Sequence, residues 1–502
     1  MAHLNYNPLS LKDMAIRRLA SVLFKESNIL ASISNFHCKF SLCDEVWRET
    51  VEDKLPDEIS KLGLPKSLTK LLIDTVKPMG LQVGRWKEFH EEYLHDSHGE
   101  EIHFDVPILE KLRWTTAGAV DYRKTAEELV RSDVIDIVKR YKLSCLYCME
   151  DYIPMFWKEL PKDNKRYFCR KTERCFQSGG LGLEFWWPYI IKGQESNLDN
   201  LTRSYRRNQI TFHQYAFQCS AEKGNKTAVE YFFQQLTHGE KEVSLMSATR
   251  SLLTYDYTTR NYLDREDDKE FPSVTFSELL SYLLSVMTPD QQMRIFQEQP
   301  CEILEWFLEW PFQDIFTEIA DLIWDFLPER DYNFVLRRIH GQFKDSDYYC
   351  LKLFQEFFLR IPSDFWKSFV DRQCEFDSPF YTILLEQDIK ALEIIFKCLD
   401  AGARARLVFS EPALETFHYC ISIGKWDVVE VCIREASLSQ EDRKRLKEAF
   451  TGYLTSIGEG AMKLKTRKWS RFFHLLDNTN DPIKRCSEDR RKPKKEKLSY
   501  EE

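Results

Sequence analysis

The chain has 502 residues, 43% of them hydrophobic, 30% charged and 14% aromatic, with a formal net charge of −9. That length exceeds one compact core of ordinary size, and the apolar share is that of a folded chain, not a disordered one. The negative balance is a poor match for a phosphate backbone, and only 17 Gly argue against a hairpin-rich β fold.

No apolar run approaches the roughly 20 residues that a bilayer span needs, so no membrane partner is expected. Met1 to Pro8 is polar where a secretory leader would be charged and then apolar. The 14 Cys are scattered, often inside apolar helical runs as at Cys219, Cys301, Cys398 and Cys432. Reduced, buried thiols in a cytoplasmic or nuclear protein are the expectation.

Residues 1–110 read as a helical N-terminal region. Leu9, Leu11, Met14, Leu19, Val22 and Leu23 form an apolar stripe, with Lys12, Arg17 and Arg18 on other faces. Ser10 is placed to cap that helix. Leu68, Leu71, Leu72 and Ile73 predict a second helix from Pro65 through Val76, and His95 to Asp105 reads as a polar loop.

From about residue 111 the pattern repeats. Thr125 to Arg140 has helical spacing, and Pro154, Pro161 and Pro188 punctuate aromatic helices bearing Trp157, Trp186 and Trp187. Helical stretches follow over Ala216–Leu236, Phe276–Val286, Ile303–Phe326, Tyr349–Arg360, Tyr381–Leu399 and Leu414–Ala436. Turns at Thr288-Pro289-Asp290, Trp310-Pro311-Phe312, Leu327-Pro328-Glu329 and Ile361-Pro362-Ser363-Asp364 stop one helix and start the next. An acidic loop lies between Tyr257 and Phe271. No alternating Val, Ile and Thr pattern argues for a sheet. The array is expected to span residues 111–475, ahead of a disordered basic tail over 476–502.

Two segments carry the repeat most plainly. Ala216 to Phe232 and Tyr419 to Cys432 each end one helix at a Gly plus a polar residue, Gly224-Asn225 and Gly424-Lys425, then start an apolar second helix at once. A looser copy runs through Leu384, Leu385, Gln387, Asp388, Ala391 and Ile395. Matching second helices recur at about 37 to 45 residues, longer than the ~33 of a standard ankyrin unit. The expected fold is therefore all-α, an α-solenoid of degenerate helix pairs.

The unit around Lys223-Gly224-Asn225 and Ile423-Gly424-Lys425 resembles the ankyrin repeat, although Thr-Pro-Leu-His is absent throughout. The chain looks like the divergent ankyrin-like helical proteins of arthropods. That resemblance implies a protein-binding scaffold, with a protein partner along a concave face and no catalytic residues. A second resemblance lies in Ser10 to Leu19, which is similar to the elongin-binding helix of the suppressor-of-cytokine-signalling box. Leu11, Ala15 and Leu19 fall on one stripe, with Ala15 in place of the commoner Cys. Leu64-Pro65-Lys66-Ser67-Leu68 is similar to the Leu-Pro segment of the same box. This second resemblance implies a substrate receptor of a cullin-type ubiquitin ligase.

Other residue groups invite chemistry. Cys145-x-x-Cys148 with Cys169 and Cys175 could make a zinc site, but Tyr141 to Met149 reads as a continuing apolar helix with buried thiols. His90, His95, His98 and His103 sit among carboxylates. His90 and His95 are five apart, about 140° round a helix, and so face different ways; a polar surface segment is expected. Ser178-Gly179-Gly180-Leu181-Gly182 lacks the Lys-Ser/Thr of a phosphate loop. Arg203, Tyr205, Arg206 and Arg207 form a basic-aromatic patch of the kind that meets RNA, read here as a solvated helix end, with nucleic acid not expected as a partner. Arg490, Arg491, Lys492, Lys494 and Lys495 form a like-charge run suited to an import receptor. No metal or cofactor is expected.

Overall fold

The computed structural model describes residues 10–36, 47, 49–95, 102–178, 181–206, 210–254, 271–346, 351–362, 365, 370, 379–458 and 467–477. The structure is 79% helical, with 27 α-helices and no strand among the described residues, so the fold is all-α as the periodicity predicts. The chain divides into two compact units, Met1–Phe357 and Phe358–Glu502.

The first unit opens with α1 (Leu11–Leu23), α2 (Ser27–Ser34) and the short α3 (Leu55–Ser60). Ser10 caps α1 as predicted, its Oγ accepting the Asp13 N–H at 3.1 Å. Next comes α4 (Lys66–Leu94), a helix of 29 residues. The sequence pattern ends this helix at Val76; in the fold it continues through Pro78. Proline removes one intrahelical bond, but Met79, Val83, Trp86, Phe89, Tyr93 and Leu94 are all buried beyond it, so packing keeps the helix going.

Helices α5 (Val106–Leu109), α6 (Tyr122–Arg131) and α7 (Ile137–Leu146) follow. The stretch from Thr125 to Arg140 is therefore two helices, not one. Asp136 separates them by accepting the Val138 and Lys139 N–H groups at 2.9 and 3.0 Å. The unit continues with α8 (Ile153–Glu159), α9 (Lys162–Ser178), α10 (Leu183–Ile190) and α11 (Glu195–Arg206). Then come α12 (Phe212–Glu222), α13 (Lys226–Gln235), α14 (His238–Leu253) and α15 (Ser273–Val286). Thr288 and Gln291 form a capping box that starts α16 (Pro289–Glu298), with Pro289 in the first turn as its sequence suggests. The Ile303–Phe326 stretch breaks into α17 (Pro300–Trp306) and α18 (Phe316–Ile323), and Pro328 precedes α19 (Glu329–Ser346). The unit boundary falls within α20 (Leu351–Arg360).

The second unit holds α21 (Pro379–Leu385), α22 (Ile389–Cys398), α23 (Ala401–Phe409), α24 (Glu411–Ile423), α25 (Trp426–Ala436), α26 (Gln440–Ser456) and α27 (Arg467–Asp477). Its centre is aromatic, with Phe450 and Phe472 rings 4.5 Å apart and Phe417 6.3 Å from Phe472. In the first unit Phe176, Trp186, Phe212, Tyr215 and Phe232 form a comparable cluster, with the Trp186 and Phe212 rings perpendicular at 5.4 Å.

One backbone corner recurs. The N–H of Met149, Gln194, Asn225, Asp388 and Lys425 reaches back to the carbonyl of Ser144, Tyr189, Ser220, Ile383 and Cys420 respectively, at 2.8 to 3.1 Å. In each case the residue before the donor is left-handed: Cys148, Gly193, Gly224, Gln387 and Gly424. This double-bonded closure satisfies the last carbonyls of the first helix and turns the chain. In two corners the donor residue also caps the helix that follows, since Asn225 Oδ1 accepts the Ala228 N–H and Asp388 Oδ1 accepts the Ala391 N–H, both at 3.0 Å. Asn225 then donates its Nδ2 to the Leu146 carbonyl at 2.8 Å, tying one corner to the end of α7.

Helix α4 meets several of these elements along its length. Near its C-terminus, Tyr93 meets Glu184, and Lys142 donates to the Tyr93 carbonyl at 2.7 Å. His90 meets Tyr147, and Phe89 lies 4.3 Å from Phe271. Further back Arg85 donates to Ser273, while Gln82 donates to the Trp310 carbonyl at 2.8 Å and accepts from the Val120 N–H. Between Tyr93 and Gln82, about 16 Å along the axis, α4 meets residues from Val120 to Trp310. One face of these helices is thus already covered by α4.

The glycines at two corners are not equivalent. Both have positive φ, but a Cβ on Gly224 would sit 2.5 Å from the Phe276 ring, whereas one on Gly424 meets nothing within 4 Å. Gly424→Ala should therefore cost only the left-handed penalty, about 1 kcal/mol. Gly224→Ala should cost at least twice as much, because Phe276 must move as well. Urea unfolding of each variant against the wild type checks this ordering.

Candidate functional site

The apolar stripe singled out by sequence on α1 is split between the two sides of the helix, and Leu9 lies outside the described residues. Ile16, Ala20 and Leu23 bury its inner side, whereas Leu11 is 83% exposed, with Met14 and Val22 also exposed. Ala15 is exposed and Leu19 half-buried on the same stripe. The inner side is held by Arg17, itself buried. Its guanidinium donates to the Ala117 carbonyl at 2.8 Å, pairs with Asp314 at 2.8 Å and lies over the Trp310 ring at 5.3 Å. Burial pushes the Asp314 carboxyl up, against the pull of the Arg17 charge. Leu64-Pro65 forms the entry to α4, with Pro65 at its N-cap.

His90 is a correction to the sequence reading. It is not on a polar surface: it is fully buried within α4, because this segment lies inside the helix that crosses α7. Its Nδ1 is 2.7 Å from the Trp86 carbonyl, which can only accept, so Nδ1 carries the proton. Nε2 then accepts from the Tyr147 hydroxyl at 2.7 Å. His95 and His103 are exposed, and His98 lies outside the described residues.

Of the four cysteines, Cys148 departs from the helical pattern. Helix α7 stops at Leu146, so Tyr141 to Met149 is not one helix; Cys148 sits in the left-handed turn that follows. Cys145, Cys148 and Cys175 are buried and Cys169 is half-buried. Among the described residues no three His, Cys, Asp or Glu side chains come together as a metal would require. Burial raises the Cys145 and Cys148 thiols well above their ordinary range, which holds them protonated. Around them Tyr93 donates to Glu184 Oε2 at 3.1 Å and Tyr141 donates to the Glu184 carbonyl at 3.1 Å. Burial first, and the Glu184 charge second, push the Tyr93 hydroxyl up. The cluster satisfies its own polar groups and fastens α4 to α7 and α10.

Gly182 caps α10, and the Cys175 Sγ fills the place its Cβ would take; Gly179 and Gly180 lie outside the described residues. Tyr205 does not stand free on α11. Its hydroxyl donates to Glu173 Oε1 at 2.6 Å and accepts from Gln177 Nε2 at 3.2 Å, both on α9. Arg203 is exposed beside it, while Arg207 and the tail residues Arg490, Arg491, Lys492, Lys494 and Lys495 lie outside the described residues. No described helix is long and apolar enough to cross a membrane. The chain matches no known family model and no curated protein sequence.

Burial pushes His90 down to about 4, below the ~6.5 of an unfolded chain. The unfolded state therefore takes up this proton first. Stability of the first unit should be indifferent to His90 above about pH 6.5 and should fall by ~3 kcal/mol as pH drops to 4. Urea unfolding across this range should show the slope, and His90→Gln should flatten it; an equal slope in the variant would remove His90 as its source.

Proposed function

We propose that the chain is a non-enzymatic protein–protein interaction scaffold built from ankyrin-like helical repeats. The observation that supports this reading is the recurring corner, in which the same two hydrogen bonds close a first helix before the next begins. Helix pairs made this way cannot bury their apolar flanks alone and shelter one another side by side, leaving long outer faces for partners. Because α4 lies across one face, the partner surface is assigned to faces that α4 leaves open.

A second reading has its own support. The outward stripe of α1, with Leu11, Ala15 and Leu19, has the spacing of an adaptor-binding helix, and Arg17 fixes that helix from behind. On this reading the chain is a substrate receptor of a cullin-type ubiquitin ligase, with α1 recruiting the adaptor.

Two measurements test these readings. Ala228 is fully buried in α13, so Ala228→Asp buries an unpaired charge and should destabilise by ~3 kcal/mol or more. Proximity labelling in the source cells should give a protein set that this variant loses; the same set from wild type and variant counts against an array-borne partner surface. For α1, purified elongin B and C should co-elute with the wild type and not with Leu11→Asp, whose melting should match the wild type because Leu11 is exposed. No co-elution with the wild type ends the ligase reading.

A further inference from the structure

Helix α9 carries Lys162, Lys165, Arg166, Arg170, Lys171 and Arg174 against Asp163 and Glu173, a local surplus of positive charge on a chain whose net charge is −9. Lys162, Arg166, Arg170 and Arg174 recur at every fourth residue and are all exposed. Side chains at that spacing stand on one side of a helix, about 6 Å apart. Arg166 has an ion pair with Asp163 at 3.0 Å, largely in solvent and so worth little. Arg170 and Arg174 pair with no carboxylate among the described residues.

The packing of α11 against α9 sharpens this surface. Tyr205 engages Glu173, the acid beside Arg174 at the C-terminal end of the ladder, through the 2.6 Å hydrogen bond. It thereby sets the exposed Arg203 at the same end of the pair of helices. The patch that looks isolated in sequence is thus anchored through Tyr205 to a helix some thirty residues earlier.

We infer that this α9 face docks a carboxylate-rich peptide segment of a protein partner. Guanidinium groups in a row bind carboxylates with two hydrogen bonds each. The ladder from Lys162 to Arg174 is about 18 Å long, which an extended peptide of about six residues spans. A nucleic acid is the weaker fit. Its backbone would run off the ladder onto an acidic molecule, and Lys171 already lies over the exposed Tyr167 ring at 5.5 Å, where a base would stack. The inference rests on the scaffold reading and narrows it to one face and one partner chemistry.

The test uses the purified full chain and a fluorescein-labelled peptide of alternating Glu and Asp, about six residues long, with blocked ends. Its Gln/Asn counterpart and a single-stranded RNA of similar length serve as comparison probes, read by anisotropy at about 50 and 200 mM salt. The acidic peptide should bind at low salt and weaken several-fold at the higher salt, and the Gln/Asn peptide should not bind. Arg170→Glu with Arg174→Glu should weaken the acidic peptide at least ten-fold, with an unchanged melting curve because both side chains are exposed. Equal binding by wild type and variant, or tighter binding of the RNA, overturns the inference. The partner set lost by Ala228→Asp is read separately, so the scaffold reading can stand while this surface fails.

Discussion

Helix α4 must bury both ring systems and ionisable groups along its length, and its neighbours are arranged to meet the buried Lys87, His90 and Tyr93. Lys87 is buried and would be costly there unpaired. It donates to the Phe36 carbonyl at 2.8 Å and to Glu91 at 2.9 Å, while Glu91 also accepts the Phe104 N–H. His90, Tyr93, Gln82 and Arg85 then fasten the same helix to α7, α10, the start of α15 and the Trp310 turn. Satisfying those groups requires the later helices to be present and in register. The first unit therefore depends on a contact between its earliest and latest parts.

This arrangement bears on where partners can bind. On the scaffold reading a row of helix pairs would hold a ligand on an open face; in this unit α4 itself packs against α7, α10 and the start of α15. On that reading the faces open to a partner are those pointing away from α4. Two have matching properties: a helix surface with exposed Leu and Met on α1, and one with unpaired Arg on α9. The first is apolar and the second cationic, its Arg170 and Arg174 pairing with no carboxylate among the described residues, so they suit different chemistries. Arg17 links α1 to Asp314 and Trp310, which makes α1 a fixed element of the unit and not a loose extension.

The corners show how much of a helix-to-helix joint can be carried by backbone alone. Gly224 and Gly424 announce themselves, because glycine takes the left-handed conformation without a Cβ clash. Cys148 and Gln387 adopt the same conformation at a cost of about 1 kcal/mol or more, and their hydrogen bonds are the same as those of the glycine corners. At Gln387 the following Asp388 cap leaves a trace in the sequence. At Cys148 no residue type marks the turn, and apolar periodicity runs straight through it. Gly193 lies in Lys192-Gly193-Gln194, a glycine followed by a polar residue as in Lys223-Gly224-Asn225.

The sequence by itself determined the all-α class, the Ser10 and Thr288 caps, the dense aromatic interior and the Gly224 and Gly424 joints. These depend on local conformational preference or on periodic burial, and both act over a few residues. Tertiary structure decided the continuation of α4 past Pro78, the burial of His90, the end of α7 before Cys148 and the union of α9 with α11. Each of those depends on groups brought together from distant positions: Tyr147 for His90, Glu173 for Tyr205, Asp314 for Arg17. A proline or a polar histidine reads as a boundary or a surface until the partner that compensates it is in place. That compensation comes from residues tens to hundreds of positions away, beyond the reach of local periodicity.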